Sequence, residues 1–192
     1  IGLFAQTSWT GNAGTSWTDP GNWSAGVPDA MDTVAIFDVA NDPTLSAAGA
    51  LAKLITVYSG AVLTISSGAT LAVNGSSTHG ILNYGTVTNS GVVNIGSISS
   101  SGLYGIRNHG IFNNNTGGQI NINQTNFRGI LILAGTFTNQ ATINIGSTHN
   151  IGAYGIYTMG TFNNNTGGMI NIDRSFGFGV YCDTGGSFDN NA

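Results

Sequence analysis

Asp29, Asp32, Asp38 and Asp42 are the residues of this chain whose type and spacing come nearest to a metal site, since carboxylate oxygens are the ligands Ca²⁺ takes. They lack the Asp-x-Asp-x-Asp-Gly order of a calcium loop, and turn or cap duty suits them equally well. Asp29, Asp32 and Asp38 therefore stand as candidate Ca²⁺ ligands, with no bound cofactor as the expectation. Acid–base chemistry on polysaccharides needs paired carboxylates, or acidic metal ligands beside a basic residue. Here Glu is absent and no carboxylate occurs between Asp42 and Asp173. His79, His109 and His149 do not share a position in the repeat described below. Gly-x-Ser-x-Gly, Cys-x-x-Cys, His-Glu-x-x-His and phosphate-loop patterns are all missing. The reading is of a protein that is not an enzyme, without catalytic residues. Trp9, Trp17 and Trp23 can line a sugar site or close the end of a fold. Cys182 stands alone, so it forms no internal disulfide. Lying two residues from the apolar Val180, it is expected to be a buried thiol.

The elements that would position such residues come from a repeat. Aligned on one glycine, units start at Gly80, Gly105, Gly129, Gly155 and Gly179, at steps of 25, 24, 26 and 24 residues. A period in this range means stacked supersecondary units rather than a single globular core. Apolar residues recur as columns: Ile81, Ile106, Ile130, Ile156 and Val180, then Val87, Phe112, Phe137, Phe162 and Phe188. A third column is the pair Val93/Ile95, Ile120/Ile122, Ile143/Ile145 and Ile170/Ile172, with Asn94, Asn121, Asn144 and Asn171 between the members. That alternation has the period of a strand with aliphatics inward and Asn outward. No apolar stripe at helical spacing occurs, and frequent glycine would cost a helix about 1 kcal/mol at each position. The fold class expected is all-β: a right-handed parallel β-helix, or β-solenoid, of about 25 residues per coil, with coils in register at roughly 4.8 Å. The Leu-x-x-Leu-x-Leu signature of a leucine-rich repeat is absent.

Asn89, Asn114, Asn139, Asn164 and Asn190 each follow the Val/Phe column by two residues. Asn repeated at coil spacing predicts a hydrogen-bonded ladder. The units also alternate, with Asn-Thr-Gly-Gly inserted at Asn115 to Gly118 and again at Asn165 to Gly168, which suggests duplication of a coil pair. Residues 60–75 carry related alternation, so coils are expected from Leu54 to residue 192, with residues 6–53 as a Trp-rich cap and its leading strands. Residues 1–5 read as the remnant of a signal peptide cleaved after Ala5. The chain stops at Phe188-Asp-Asn-Asn-Ala, before that unit's aliphatic-Asn-Ile strand. The expectation is a fragment whose last coil frays, self-associates or is covered by neighbouring coils.

The ending Phe-Ala-Gln resembles signal peptides of Bacteroidetes secreted proteins. The opening Trp-x-Gly, Asn22-Trp23-x-x-Gly26-x-Pro28 and Asp32-x-Val34-x-Ile36 resembles the start of large bacterial surface proteins with β-helical passengers. The Gly…Phe-x-x-Asn texture is similar to autotransporter passengers and chlamydial polymorphic membrane proteins, although the Gly-Gly-Ala-Ile motif of the latter is missing. The resemblance implies adhesion, surface display or filament building, often with a C-terminal sorting domain in the Bacteroidetes group.

Charged residues make up only 6% of the chain, with a net charge of −4 and four scattered basic residues. That balance argues against nucleic acid or anionic membrane surfaces as partners, and no apolar run is long enough to span a membrane. Like charges stacked coil on coil would repel, so solubility rests on Asn, Ser, Thr and Gly. The function expected is a secreted, non-catalytic cell-surface scaffold: an adhesin, stalk or filament module, with surface glycans as possible partners. Alternatives are a carbohydrate-binding or carbohydrate-active β-helix, and an ice-binding face. The last would need an unbroken Thr ladder, whereas Thr86, Thr136 and Thr161 share their column with Ile111 and Ser187.

Overall fold

The computed structural model describes residues 6–192, so the proposed cleavage site after Ala5 lies outside the described residues. The chain winds as a parallel β-solenoid of about seven turns. Each coil contributes a strand to each of three sheets, and every pairing between neighbouring coils is parallel. The first sheet runs from Gln6–Trp9 through Thr33–Ile36, Leu54–Val57, His79–Asn83, Tyr104–Asn108, Arg128–Ile132 and Tyr154–Thr158 to Phe178–Cys182. The second includes Thr86–Asn89, Ile111–Asn114, Thr136–Asn139, Thr161–Asn164 and Ser187–Asn190; the third includes Val92–Ile95, Gln119–Ile122, Thr142–Ile145 and Met169–Ile172. Where the turn between second and third sheets is long, as at Asn115–Gly118, the return to the first sheet is short, so coil length stays near 25 residues.

Repeated residues fall directly on one another. Ile81, Ile106, Ile130 and Ile156 are fully buried in one column. The rings of Phe112, Phe137, Phe162 and Phe188 stack with centroids 4.7, 5.1 and 5.0 Å apart. Beside them Asn89 donates to Asn114, Asn114 to Asn139, Asn139 to Asn164 and Asn164 to Asn190, at 2.7–2.8 Å. The second Nδ2 proton of each donor meets a backbone carbonyl, such as that of Ala141 for Asn139, 3.0 Å away. The buried amides are thereby satisfied, which is the condition for burying them at all. A second ladder runs outside, along the third sheet, through Asn94, Asn121, Asn144 and Asn171.

The opening glycines are fixed by contact rather than by φ. A Cβ on Gly129 would sit 2.7 Å from the carbonyl oxygen of Gly155 in the next coil and 2.9 Å from Ile145 Cγ2. No side chain fits there.

One boundary and one burial differ from the sequence reading. Thr33–Ile36 already pairs with Leu54–Val57, and Thr44–Leu45 and Ala50–Ala52 join the other two sheets, so coils begin at Thr33 rather than Leu54. Thr44–Leu45 and Ala50–Ala52, of two and three residues, are too short to show alternation. Cys182 is exposed, not buried. It occupies the inward column of Asn108, Ile132 and Thr158, but no described coil follows to cover it.

Two outcomes test this packing. Phe137→Ala removes the middle of the ring stack and should cost about 3–5 kcal/mol in a denaturant melt. Asn139→Asp places a carboxyl in the buried ladder, where desolvation raises its folded-state pKa above the unfolded value. The added destabilisation should therefore be small in acid and grow as pH rises through and above the unfolded carboxyl pKa; a loss independent of pH would contradict the ladder.

Candidate functional site

The three outward faces of the solenoid differ in chemistry. The second sheet presents Thr86, Ile111, Thr136, Thr161 and Ser187 in one column, so the Thr row is interrupted. The third presents its Asn ladder. The first sheet carries nearly everything else: all six tyrosines of the chain lie on or at the rim of its outer face.

Three outward columns build this face, placed one residue before and two and four residues after each opening glycine. The first contains His79, Tyr104, Arg128, Tyr154 and Phe178. The second contains Leu82, Arg107, Leu131, Tyr157 and Tyr181. At the rim, the third includes Tyr84, His109, Leu133, Met159 and Asp183, with the Tyr84 ring stacked on His109 at 4.7 Å and Phe37 stacked on Tyr58 at 4.4 Å in earlier coils.

Arg128 sits at the centre. Its guanidinium carbon is 4.0 Å from the ring centre of Tyr157, 4.3 Å from Phe127 and 5.4 Å from Tyr154, within the range of cation–π attraction. Leu131 points outward between Arg107 and Tyr157 yet is only 1% exposed. It lies outside the interior core cluster, so outer side chains roof it and give this face a small apolar floor. Tyr157 donates its hydroxyl to the Asp183 carboxylate. That bond raises the pKa of the tyrosine and lowers that of the aspartate.

Arg107 stands 5.9 Å over the Tyr104 ring, and its Nε has no hydrogen-bond partner. The Nε2 atoms of His79 and His109 and the Nε of Arg128 are likewise unpartnered. Burial, then the positive charge of Arg107, lowers the pKa of His79 to about 4 and pushes that of His109 down as well. The sequence reading missed this concentration because the repeat was read for its inward columns. The outward positions were legible in the same alignment.

The other candidates stand elsewhere. Trp9, Trp17 and Trp23 are buried and pack edge to face, with Trp23 5.0 Å from Trp9 and 4.7 Å from Trp17. Trp9 Nε1 donates to Asn41 O and Trp23 Nε1 to Trp17 O. They close the N-terminal end of the continuous solenoid core, leaving no ring face free for a sugar. Among the described residues no three His, Cys, Asp or Glu side chains gather as a metal site requires. Asp29 accepts from Met31 N–H and Asp32 from Asp29 N–H, so both serve the turn, while Asp38 lies against Gly60. No helix among the described residues is long and apolar enough to cross a membrane.

The profile of a domain of unknown function, DUF8693, matches residues 8–126, more than half of the chain. The chain belongs to the DUF8693 family. The matched stretch of this DUF8693 protein takes in the Trp-rich end, Tyr58, Tyr84, Tyr104, His79, His109 and Arg107, and stops before Arg128. No curated protein and no solved structure matches the chain.

The histidines give a test by pH. A histidine whose folded pKa lies below its unfolded value stabilises the protein fully above the unfolded value, about 6.5. That contribution is lost as pH falls from there toward about 4 for His79. His79→Gln should therefore flatten the fall in thermal midpoint between these two pH values, measured against wild type.

Proposed function

We propose that this protein is a non-catalytic, exported scaffold of the bacterial cell surface, an adhesin, stalk or filament module. Its solenoid carries the tyrosine- and arginine-rich face of the first sheet toward a partner. The observation that carries this reading is the segregation of chemistry: one outer face holds all the tyrosines and two of the three arginines, while the other two are mostly Thr, Ser and Asn, with Ile111 and Met169 exposed among them. Tyr and Arg are the residue types in which binding energy concentrates at recognition surfaces.

The non-catalytic part rests on the same face. Its one carboxylate in the three columns, Asp183, is tied to Tyr157, which favours a face that binds over one that transfers protons. Export is supported by the resemblance of the Trp-rich N-terminal segment to bacterial surface proteins.

Protease shaving of intact cells of the native organism, followed by mass spectrometry, should release peptides from the outward loops of this chain. Recovery from the cytosolic fraction alone would overturn the proposal.

A further inference from the structure

Resting on that reading of the first sheet's outer face, we propose that Arg107 and Arg128 bind the carboxylates of an acidic linear polysaccharide lying along the solenoid axis. Three observations select this ligand. The first is charge. The chain is acidic overall, yet this face carries two guanidinium groups and one carboxylate, and that carboxylate accepts the Tyr157 hydroxyl. Arg107 makes no hydrogen bond or ion pair among the described residues; its Nε is buried, so the two terminal guanidinium nitrogens are the donors a ligand would meet. A carboxylate suits the fork of an unpaired guanidinium, since such bonds are charge-assisted and bidentate.

The second observation is the orientation of the rings. Tyr154 stacks on Phe178 with planes 14° apart, and Tyr157 on Tyr181 with planes 23° apart. Rings stacked along the axis cover one another's faces and turn their edges outward. Aromatic edges carry the positive part of the quadrupole, so they favour electron-rich oxygen atoms, and the tyrosine hydroxyls add donors and acceptors. These two pairs, with centroids 6.0 and 5.3 Å apart, follow the solenoid axis across the last two coils, the direction in which a linear, hydroxyl-rich polymer would lie.

The third is what the face does not offer. The strands of the first sheet from Thr33–Ile36 to Tyr154–Thr158 are paired on both sides. An acidic peptide laid on this face would find no free backbone groups with which to add as a strand, the way extended peptides gain affinity. A saccharide needs none.

Binding is measured with immobilised alginate, a polyuronate, against neutral dextran and against polyglutamate, at low and at physiological salt. Wild type should be retained on alginate, more weakly as salt rises, with little retention on dextran or polyglutamate. Arg107→Gln should lower alginate affinity about tenfold or more. Asp183→Asn, which removes the carboxylate of this face, should tighten it; this second variant serves if Arg107→Gln does not fold. Absence of alginate binding, an unchanged affinity in Arg107→Gln, or no tightening in Asp183→Asn would each overturn the proposal. Equal retention on polyglutamate would overturn the saccharide and favour an acidic peptide; equal retention on dextran would overturn the role of the carboxylate. A chain released by cell shaving that ignores alginate would sink this ligand and leave the surface scaffold standing.

Discussion

Everything in this structure depends on like residues stacking on like at the strand spacing of a parallel sheet, about 4.8 Å. A position that is tolerable once must be tolerable on top of itself in every coil. Phenylalanine passes, because stacked rings add contact without charge, as Phe112, Phe137 and Phe162 do at 4.7 and 5.1 Å. Asparagine passes because its amide is both donor and acceptor, so a column of Asn89, Asn114, Asn139 and Asn164 satisfies itself. Aspartate or lysine in such a column would repel its own copies. The near absence of charge in the body of the chain is a consequence of the architecture. The glycine column is another: Gly129 admits no Cβ because the next coil's glycine carbonyl stands in its place.

Stacking leaves the ends of a solenoid with unpaired backbone groups and an open apolar cross-section. At the N-terminal end three tryptophans turn edge to face and spend two of their indole N–H groups on the carbonyls of Asn41 and Trp17. The same bulk that would make them sugar platforms at a surface makes them a plug when buried. In the last described coil the inward positions Val180 and Cys182 are exposed. A residue's place in the column thus decides its environment only where a further coil covers it.

Outward positions escape most of the stacking constraint, and there the chain varies. The repeat can place Leu82, Arg107, Leu131, Tyr157 and Tyr181 in one outward column because neighbours need only be compatible, not identical. Arg128 is held mainly among rings, with the Asp183 carboxylate near enough to feel its charge, which keeps a cation on a stacked face. Leu131 beneath them shows that this outer layer is packed, not merely displayed.

The sequence by itself determined the architecture: the 24–26-residue period, the Ile, Phe and Asn columns and their inward or outward sense were all readable from spacing. Periodicity carries that information because each coil repeats the same local environment. What spacing does not carry is how non-repeating segments fold and how separate columns meet. Thr44–Leu45 and Ala50–Ala52 are too short to show alternation, so their place in the first coil, and the start of the stack at Thr33, came from pairing alone. The burial of Trp9, Trp17 and Trp23 and the exposure of Cys182 were likewise tertiary decisions, set by what lies above or below each residue. The tyrosine–arginine face stands between the two. Its columns sit one residue before and two and four after the opening glycines, so their membership was legible. That Arg128 would gather Phe127, Tyr154 and Tyr157, and leave Arg107 over Tyr104 with no hydrogen-bond partner for its Nε, follows only from the distance and direction of side chains across adjacent coils.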